Sequence, residues 1–238
     1  MNQLLSLIAL VTIAGAVFAA DDDGAMPDFT HAKFVEGDRS LKNLIEFPDI
    51  DFDVEITLMC NGIASAKGRL QNGKCSSPGD PDLLFTMSVS RVFNTLRVVP
   101  ATVNGREEEV DFQFVVFFKK AGAVESIDIH LNNQKNVDRL GLDYISAQRY
   151  SPHPLPNRCA GWQQDDLLIE AAIVDANGRP RDVNMMSASV GIPPSCRKGL
   201  INQLEDARWI PAMYQGQYVE SVWINPIVLT KQPYKRQQ

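Results

Sequence analysis

The chain has little of several things that most easily betray a function. Only three histidines occur in 238 residues, His31, His130 and His153, and none sits in a motif. There is no Gly-x-Ser-x-Gly elbow, no His-Glu-x-x-His pair and no phosphate-binding loop, so hydrolase, zinc-protease and nucleotide signatures are missing. Basic residues are outnumbered, 23 against 29 acidic, and the net charge of −6 argues against nucleic acid, which needs a basic face. The acidic runs at 21–23, 107–109 and 165–166 have solvated surface as their default. No metal-ligand cluster and no cofactor motif is visible, and none is expected.

Long apolar runs are also scarce. Residues 4–18 form the one uncharged apolar stretch, closed by Val17-Phe18-Ala19 and followed at once by Asp21, Asp22 and Asp23. It is shorter than the roughly 20 residues of a spanning helix and has the length of a signal-peptide core. Cleavage after Ala19 is expected, which leaves no membrane span. Met1-Asn2-Gln3 carries no Lys or Arg, so a retained N-terminal anchor is the alternative. An exported chain with four cysteines suggests two disulfides, for which three connectivities exist. Nearest-neighbour pairing, Cys60 with Cys75 and Cys159 with Cys196, would stabilise by about 3 kcal/mol and a little under about 4 kcal/mol on the chain-entropy model. Free buried thiols are the alternative.

What the chain does have is internal repetition. Arg97, Pro100, Ala101 and Gly105 recur 111 positions later (211 − 100) as Arg208, Pro211, Ala212 and Gly216. Upstream, Phe85, Val89, Phe93 and Leu96 align with Cys196, Leu200, Leu204 and Ala207. Downstream, Phe112, Val116 and Phe118 align with Trp223, Ile227 and Leu229. Apolar periodicity alone would not also place Pro and Gly, so a tandem repeat is expected. The Arg-x-x-Pro-Ala blocks are read structurally, as helix stops followed by close packing.

The local patterns give each repeat a β-β-α-β order. In the first, residues 54–59 alternate, Asn61-Gly62 predicts a two-residue hairpin turn, and 63–70 is the return strand. A Gly/Ser/Pro loop at 72–79 leads to Asp80-Pro81, which caps a helix predicted to reach Leu96. Residues 108–118 form a long strand. A short strand at 127–131 and a helix at 137–147 join the halves, and residues 151–156 form a stiff Pro-rich tether. In the second half, strands at 167–174 and 179–187 flank a turn at 175–178, a helix covers 194–207 and a strand 218–229.

Several second-half residues together resemble the C-terminal domain of TonB proteins. They are Tyr150-Ser151-Pro152, Asp175-Ala176-Asn177-Gly178-Arg179, Ala207-Arg208-Trp209-Ile210-Pro211-Ala212, Gly216 and Tyr218-Val219, in that order. The resemblance covers residues 148–231. The first half is similar at a distance through Asn61-Gly62, Arg97-Val98-Val99-Pro100-Ala101 and Asn104-Gly105, with a Val in place of Trp209. The expected fold class is therefore α+β: two tandem small β-β-α-β domains, each an antiparallel sheet with one helix on a face. Expected boundaries are signal peptide 1–19, partly ordered lead-in 20–50, first domain 51–122, connector 123–147, second domain 148–231 and tail 232–238.

The resemblance implies a periplasmic binding module that takes a protein or extended peptide, such as a segment of an outer-membrane transporter, by adding a strand to its sheet edge. Gln148, Tyr150, Tyr218, Val219, Ser221, Trp223 and Asn225 are then the partner-binding candidates, and Pro226 favours an edge position for the last strand. Residues 108–118 and 218–229 are both candidate edges, and sheet-edge pairing into a homodimer is a related expectation. Trp209 and Trp223 also suit a core or sheet-face role. The chain departs from the family in two ways. Its apolar segment has no His, and residues 151–156 reach only about 20 Å at roughly 3.1 Å per residue, which argues against energy transduction. The alternatives are a true transducer with its N-terminal helix retained, and a secreted enzyme built around His153, Asp165 or Asp166 and an unpaired Cys159.

Overall fold

A computed structural model describes residues 26–77, 79–80, 83–150, 166–187 and 192–229. The expected signal peptide, Pro81, the 151–156 tether, His153, Cys159, Asp165 and the tail lie outside the described residues. The chain opens with β1 (Phe29–Thr30), β2 (Lys33–Phe34) and the short helix α1 (Leu41–Leu44), capped by Ser40. Then come β3 (Val54–Ala64), β4 (Leu70–Ser76) and helix α2 (Leu84–Ser90). Three short strands follow, β5 (Val98–Val99), β6 (Ala101–Val103) and β7 (Arg106–Glu108), before the long β8 (Val110–Ala121) and β9 (Val124–His130). Helix α3 (Val137–Leu140) and β10 (Gln148–Arg149) lead onward. The remainder is β11 (Asp166–Val174), β12 (Pro180–Ser187), helix α4 (Pro194–Glu205), β13 (Trp209–Ile210), β14 (Ala212–Tyr214), β15 (Gln217–Val219) and β16 (Ser221–Leu229).

The fold is α+β and strand-rich, with several small antiparallel sheets. The larger two have the orders β4-β3-β8-β9 and β12-β11-β16. β3 alternates buried Ile56, Leu58 and Cys60 with more exposed neighbours, as a half-buried strand should. β8 is buried from Val110 to Phe118, apart from half-buried Phe117, because β3 and β9 flank it and both faces are covered there. All eight helix-register positions aligned between the halves, Phe85, Val89, Phe93 and Leu96 with Cys196, Leu200, Leu204 and Ala207, are buried. The largest core gathers Leu58, Phe85, Phe112, Phe114 and Phe118, and two smaller cores lie around Trp209 with Trp223 and around Leu168 with Leu200.

Several sequence expectations need correction. Asn61-Gly62 is not a turn but lies inside β3, where Asn61 faces Gln113 and Gly62 faces Phe112 of β8. An eleven-residue pairing with β8 outweighs a local turn preference. Gly62 is needed at a bulge instead: a Cβ there would sit 2.9 Å from Leu70 Cδ1 and 3.0 Å from the Gln71 carbonyl oxygen. The return strand is consequently β4, which takes in residues expected to be loop. Helix α2 covers only Leu84–Ser90 of the expected span, and its N-cap residue is Leu83 rather than Asp80, whose carboxylate nonetheless accepts from the amides of Phe85 (3.0 Å) and Thr86 (2.7 Å). Tighter i to i+3 turns carry the chain on through Val92 and Phe93, which keeps Phe93 and Leu96 on the buried side. α3 ends at Leu140, and the predicted strand at 218–229 is broken at Glu220 between β15 and β16. Residues 108–118 do not form an edge, since β8 lies between β3 and β9.

The expected lead-in is structured in residues 29–34. β1 pairs with β6 and β2 with β5. Farther along, Ile145 bridges Met213 and β10 pairs with β13.

The second half's hairpin turn forms where it is expected, at residues 175–178, and the first half's turn is its counterpart at 65–69. Ser65-Ala66-Lys67-Gly68-Arg69 and Asp175-Ala176-Asn177-Gly178-Arg179 lie 110 positions apart (175 − 65) and fold alike. In each, the first residue's N–H donates to the Arg carbonyl (2.9 and 3.0 Å), and its side-chain oxygen accepts from the Arg amide (3.2 and 2.9 Å). In each, the Gly has positive φ and its carbonyl accepts, at 3.2 Å, the N–H of the residue that begins the strand after the helix, Val98 or Trp209. A Cβ at Gly178 would lie 2.0 Å from the Trp209 carbonyl oxygen.

Cys60 and Cys75 are bonded across β3 and β4 with a Cα separation of 4.1 Å. Cys196 is also disulfide-bonded.

Replacing Gly178 by Ala should cost clearly more stability than replacing Gly216. Both have φ +77, but a Cβ at Gly216 meets nothing within 4 Å. Gly216→Ala should therefore cost about 1–2 kcal/mol, the left-handed penalty alone. Urea unfolding of the two variants measures the difference, and equal losses would contradict the docking role of the Gly178 turn.

Candidate partner-binding edge

β16 ends its sheet, with β11 on one side. The register opposes Val222 to Ile173 and Ile224 to Ala171. Val222 directs its backbone groups away from β11: its N–H donates to Asn136 Oδ1 (3.0 Å), and its carbonyl accepts from Asn136 Nδ2 (3.0 Å) and Asn133 Nδ2 (3.1 Å). Alternation then directs Ile224 and Pro226 outward as well. Pro226 thus lacks an N–H where none was needed for the ladder, which makes it harmless on this edge. Gln113 Nε2 donates to the Ile224 carbonyl, and Arg139 to that of Glu220. The N-terminal half of this edge is therefore closed by the chain's own amides and one guanidinium.

Behind that edge lies a buried polar seam. Arg149 on β10, 3% exposed along its side chain, donates from Nε to Asp111 Oδ2 on β8 (2.8 Å) and has Nη2 3.4 Å from Glu170 Oε2 on β11. Its guanidinium carbon lies 4.7 Å from the centroid of the Trp223 ring, a cation–π distance. Asn225 Nδ2 donates to Glu170 Oε2 (3.3 Å), and Asn61 donates to Asn225 (3.3 Å). One cation thereby touches elements of both larger sheets.

Of the candidate residues from sequence, Trp223 and Asn225 lie in this seam, and the others contact the N-terminal segment or neighbouring strands. Gln148 is buried and bonds Ala32 twice, accepting its N–H (2.8 Å) and donating to its carbonyl (2.9 Å), as a neighbouring strand would. Tyr150 is half-buried beside Phe29, and Tyr218 OH donates to the Phe29 carbonyl (2.8 Å). Burial raises the pKa of both phenols, which keeps both neutral. Ser221 and Trp223 are buried, Trp223 edge-on to Trp209. Val219 pairs with Ala212, and Asn225 sits between Asn61 and Glu170.

Sequence reading passed over Asp111, Gln113, Asn133, Asn136, Arg149 and Glu170. A signal did exist: Asp111 and Gln113 interrupt an otherwise apolar run at 110–118, and Glu170 stands alone among Leu167, Leu168, Ile169, Ala171 and Ala172. A charge in a strand that reads as buried implies a buried counter-charge.

His31 also belongs to the seam. It is 5% exposed, and its Nε2 lies 2.7 Å from the Pro211 carbonyl oxygen, so the neutral ring donates there. Burial lowers its pKa to about 4, with the Pro211 bond opposing that shift in part. His130, by contrast, lies 3.3 Å from Asp143 and packs against Phe117. A separate cleft of about 530 Å³, lined by Leu44, Phe47, Pro48, Leu84, Met87 and Val92, opens beside α2. Among the described residues no three metal-ligating side chains converge, and no helix is long and apolar enough to cross a membrane.

No family model, no curated protein and no solved structure matches the chain.

The His31 environment sets a pH dependence of stability. Between pH 6.5 and about 4 the unfolded chain binds a proton on His31 that the folded chain does not, so stability should fall as the pH is lowered through that window. His31→Gln keeps a donor for Pro211 and cannot take up the proton. Urea unfolding at pH 7 and pH 4 should show the native protein losing more than the variant, by on the order of 3 kcal/mol. An identical pH response would overturn the assignment.

Proposed function

We propose that the chain is an exported, non-catalytic binding module made of two tandem TonB-C-terminal-like units, which engages an extended segment of a protein partner by strand addition. The observation that carries this reading is the twice-built turn and helix assembly. Ser65 to Arg69 and Asp175 to Arg179 form the same turn, docked through Gly68 on Val98 and through Gly178 on Trp209. Each turn joins a hairpin whose first strand pairs antiparallel with the long strand that follows the helix, β3 with β8 and β11 with β16. The resemblance also supplies the class of partner. The expected unit boundaries shift in this reading: Phe29 and Thr30 correspond to Tyr144 and Ile145, 115 positions on (144 − 29), because Thr30 pairs with Thr102 as Ile145 pairs with Met213. The first unit then begins near Phe29 and the second near Tyr144.

The Cys60–Cys75 bond fits an oxidising compartment, for which the periplasm is the family's setting. β16 is the strand-accepting edge in this proposal, and its closure by Asn133, Asn136 and Gln113 makes access conditional. A partner must displace these amides to pair with Val222 and Ile224. Main-chain bonds would supply affinity while alternate side chains select the partner.

In-cell cross-linking of a C-terminally tagged copy, followed by mass spectrometry, tests this. Outer-membrane transporters should be recovered, and Asn133→Ala combined with Asn136→Ala should raise their yield severalfold. Recovery of only unrelated envelope proteins, with no response to opening the edge, would contradict it.

A further inference from the structure

β9 forms the far end of the four-stranded sheet, and its outer side lacks the guard that β16 carries. The Cys60–Cys75 Cα separation of 4.1 Å marks a non-hydrogen-bonded pair, since such pairs lie near ~4.5 Å and bonded ones near ~5.5 Å. Cys60 therefore turns its backbone groups toward Phe114 of β8. Alternation along β8 directs Val115, Phe117 and Lys119 at His130, Asp128 and Ser126 of β9. Glu125, Ile127 and Ile129 consequently aim their N–H and C=O groups outward. Among the described residues, nothing bonds these groups.

We propose that this edge pairs antiparallel with the same edge of a second copy of the chain, about a two-fold axis through Ile127. The strand is self-complementary in that register. Glu125 falls opposite Ile129 of the second copy, Ser126 opposite Asp128, and Val124 opposite His130, so no acid faces an acid. Ser126 can donate its hydroxyl to the Asp128 carboxylate. The three outward residues form three bonded pairs, about six main-chain bonds. Sliding the pairing by two residues in one direction sets Asp128 against Asp128 of the second copy, and in the other it loses a bonded pair. The acids are also tempered at home, Glu125 by Lys120 at 2.9 Å and Asp128 by Lys42 at 3.5 Å. Val124, 70% exposed, gains a covering neighbour. An isologous contact of this kind closes as a dimer and joins two four-stranded sheets into one. A seven-residue strand pair is small beside a standard interface, so the dimer should be weak and concentration-dependent.

Sedimentation of the whole exported chain across a concentration series tests the proposal. The native protein should move from monomer to dimer as concentration rises. Ile127→Pro and, separately, Glu125→Pro should each weaken association at least tenfold. Both remove an outward donor without taking a bond from the β8–β9 ladder, and the exposed Glu125 site leaves the core untouched. Ser126→Cys with Asp128→Cys should form a disulfide-linked dimer under oxidation, since the described native cysteines are already bonded. A monomer at every concentration, association unchanged by both prolines, or failure of the double-cysteine chain to cross-link would each overturn it. Such a failure leaves partner binding at β16 standing, because the two edges belong to different sheets.

Discussion

Arg149 is the residue on which the joining of the two larger sheets depends. A guanidinium removed from water must meet fixed negative charge, and here it meets Asp111 from one sheet and Glu170 from the other, with the Trp223 face beneath it. Loss of Arg149 would take the guanidinium from both buried carboxylates at once, a change of the kind that typically costs about 3–5 kcal/mol. A buried ion network of this sort adds little net stability over an apolar replacement, but it fixes register. In the observed placement of β10, Arg149 reaches both carboxylates while Gln148 bonds Ala32.

The N-terminal segment reinforces the same seam. Phe29, His31 and Ala32 contact Tyr218, Pro211 and Gln148, each more than a hundred positions along the chain. The two halves share polar contacts that are mostly backbone mimicry: amide side chains stand where a neighbouring strand's peptide groups would. Gln148 does so for Ala32 and Asn136 for Val222. Such contacts satisfy strand edges without extending a sheet, which restrains edge-to-edge aggregation and leaves an edge that a competing strand can reclaim. In the proposed function this is the functional point, since the module holds an accepting strand in a closed state.

Much of the second half was legible in the sequence. Its hairpin turn, its helix and the phase of its buried residues all follow from local chemistry, because Asp175 and Gly178 are strong turn residues and Pro194 starts a helix well. The first half misled at Asn61-Gly62, where a favoured turn pair was overruled by long-range pairing with β8. Its true turn has Ser65 and Lys67 where the second has Asp175 and Asn177, a weaker local signal for the same geometry. The seam was the least legible part. Arg149, Asp111 and Glu170 are far apart in sequence, and no local pattern pairs them. Only the incongruity of charges inside apolar strands pointed to it, and the candidates chosen for partner contact proved to be its neighbours.

Native-state hydrogen exchange of the Arg149→Met chain, compared with the native chain, tests the seam most directly. If Arg149 couples the sheets, amides of β3 and β8 and those of β11 and β16 lose protection together. Loss confined to β10 and β13, with both larger sheets protected as before, would contradict it.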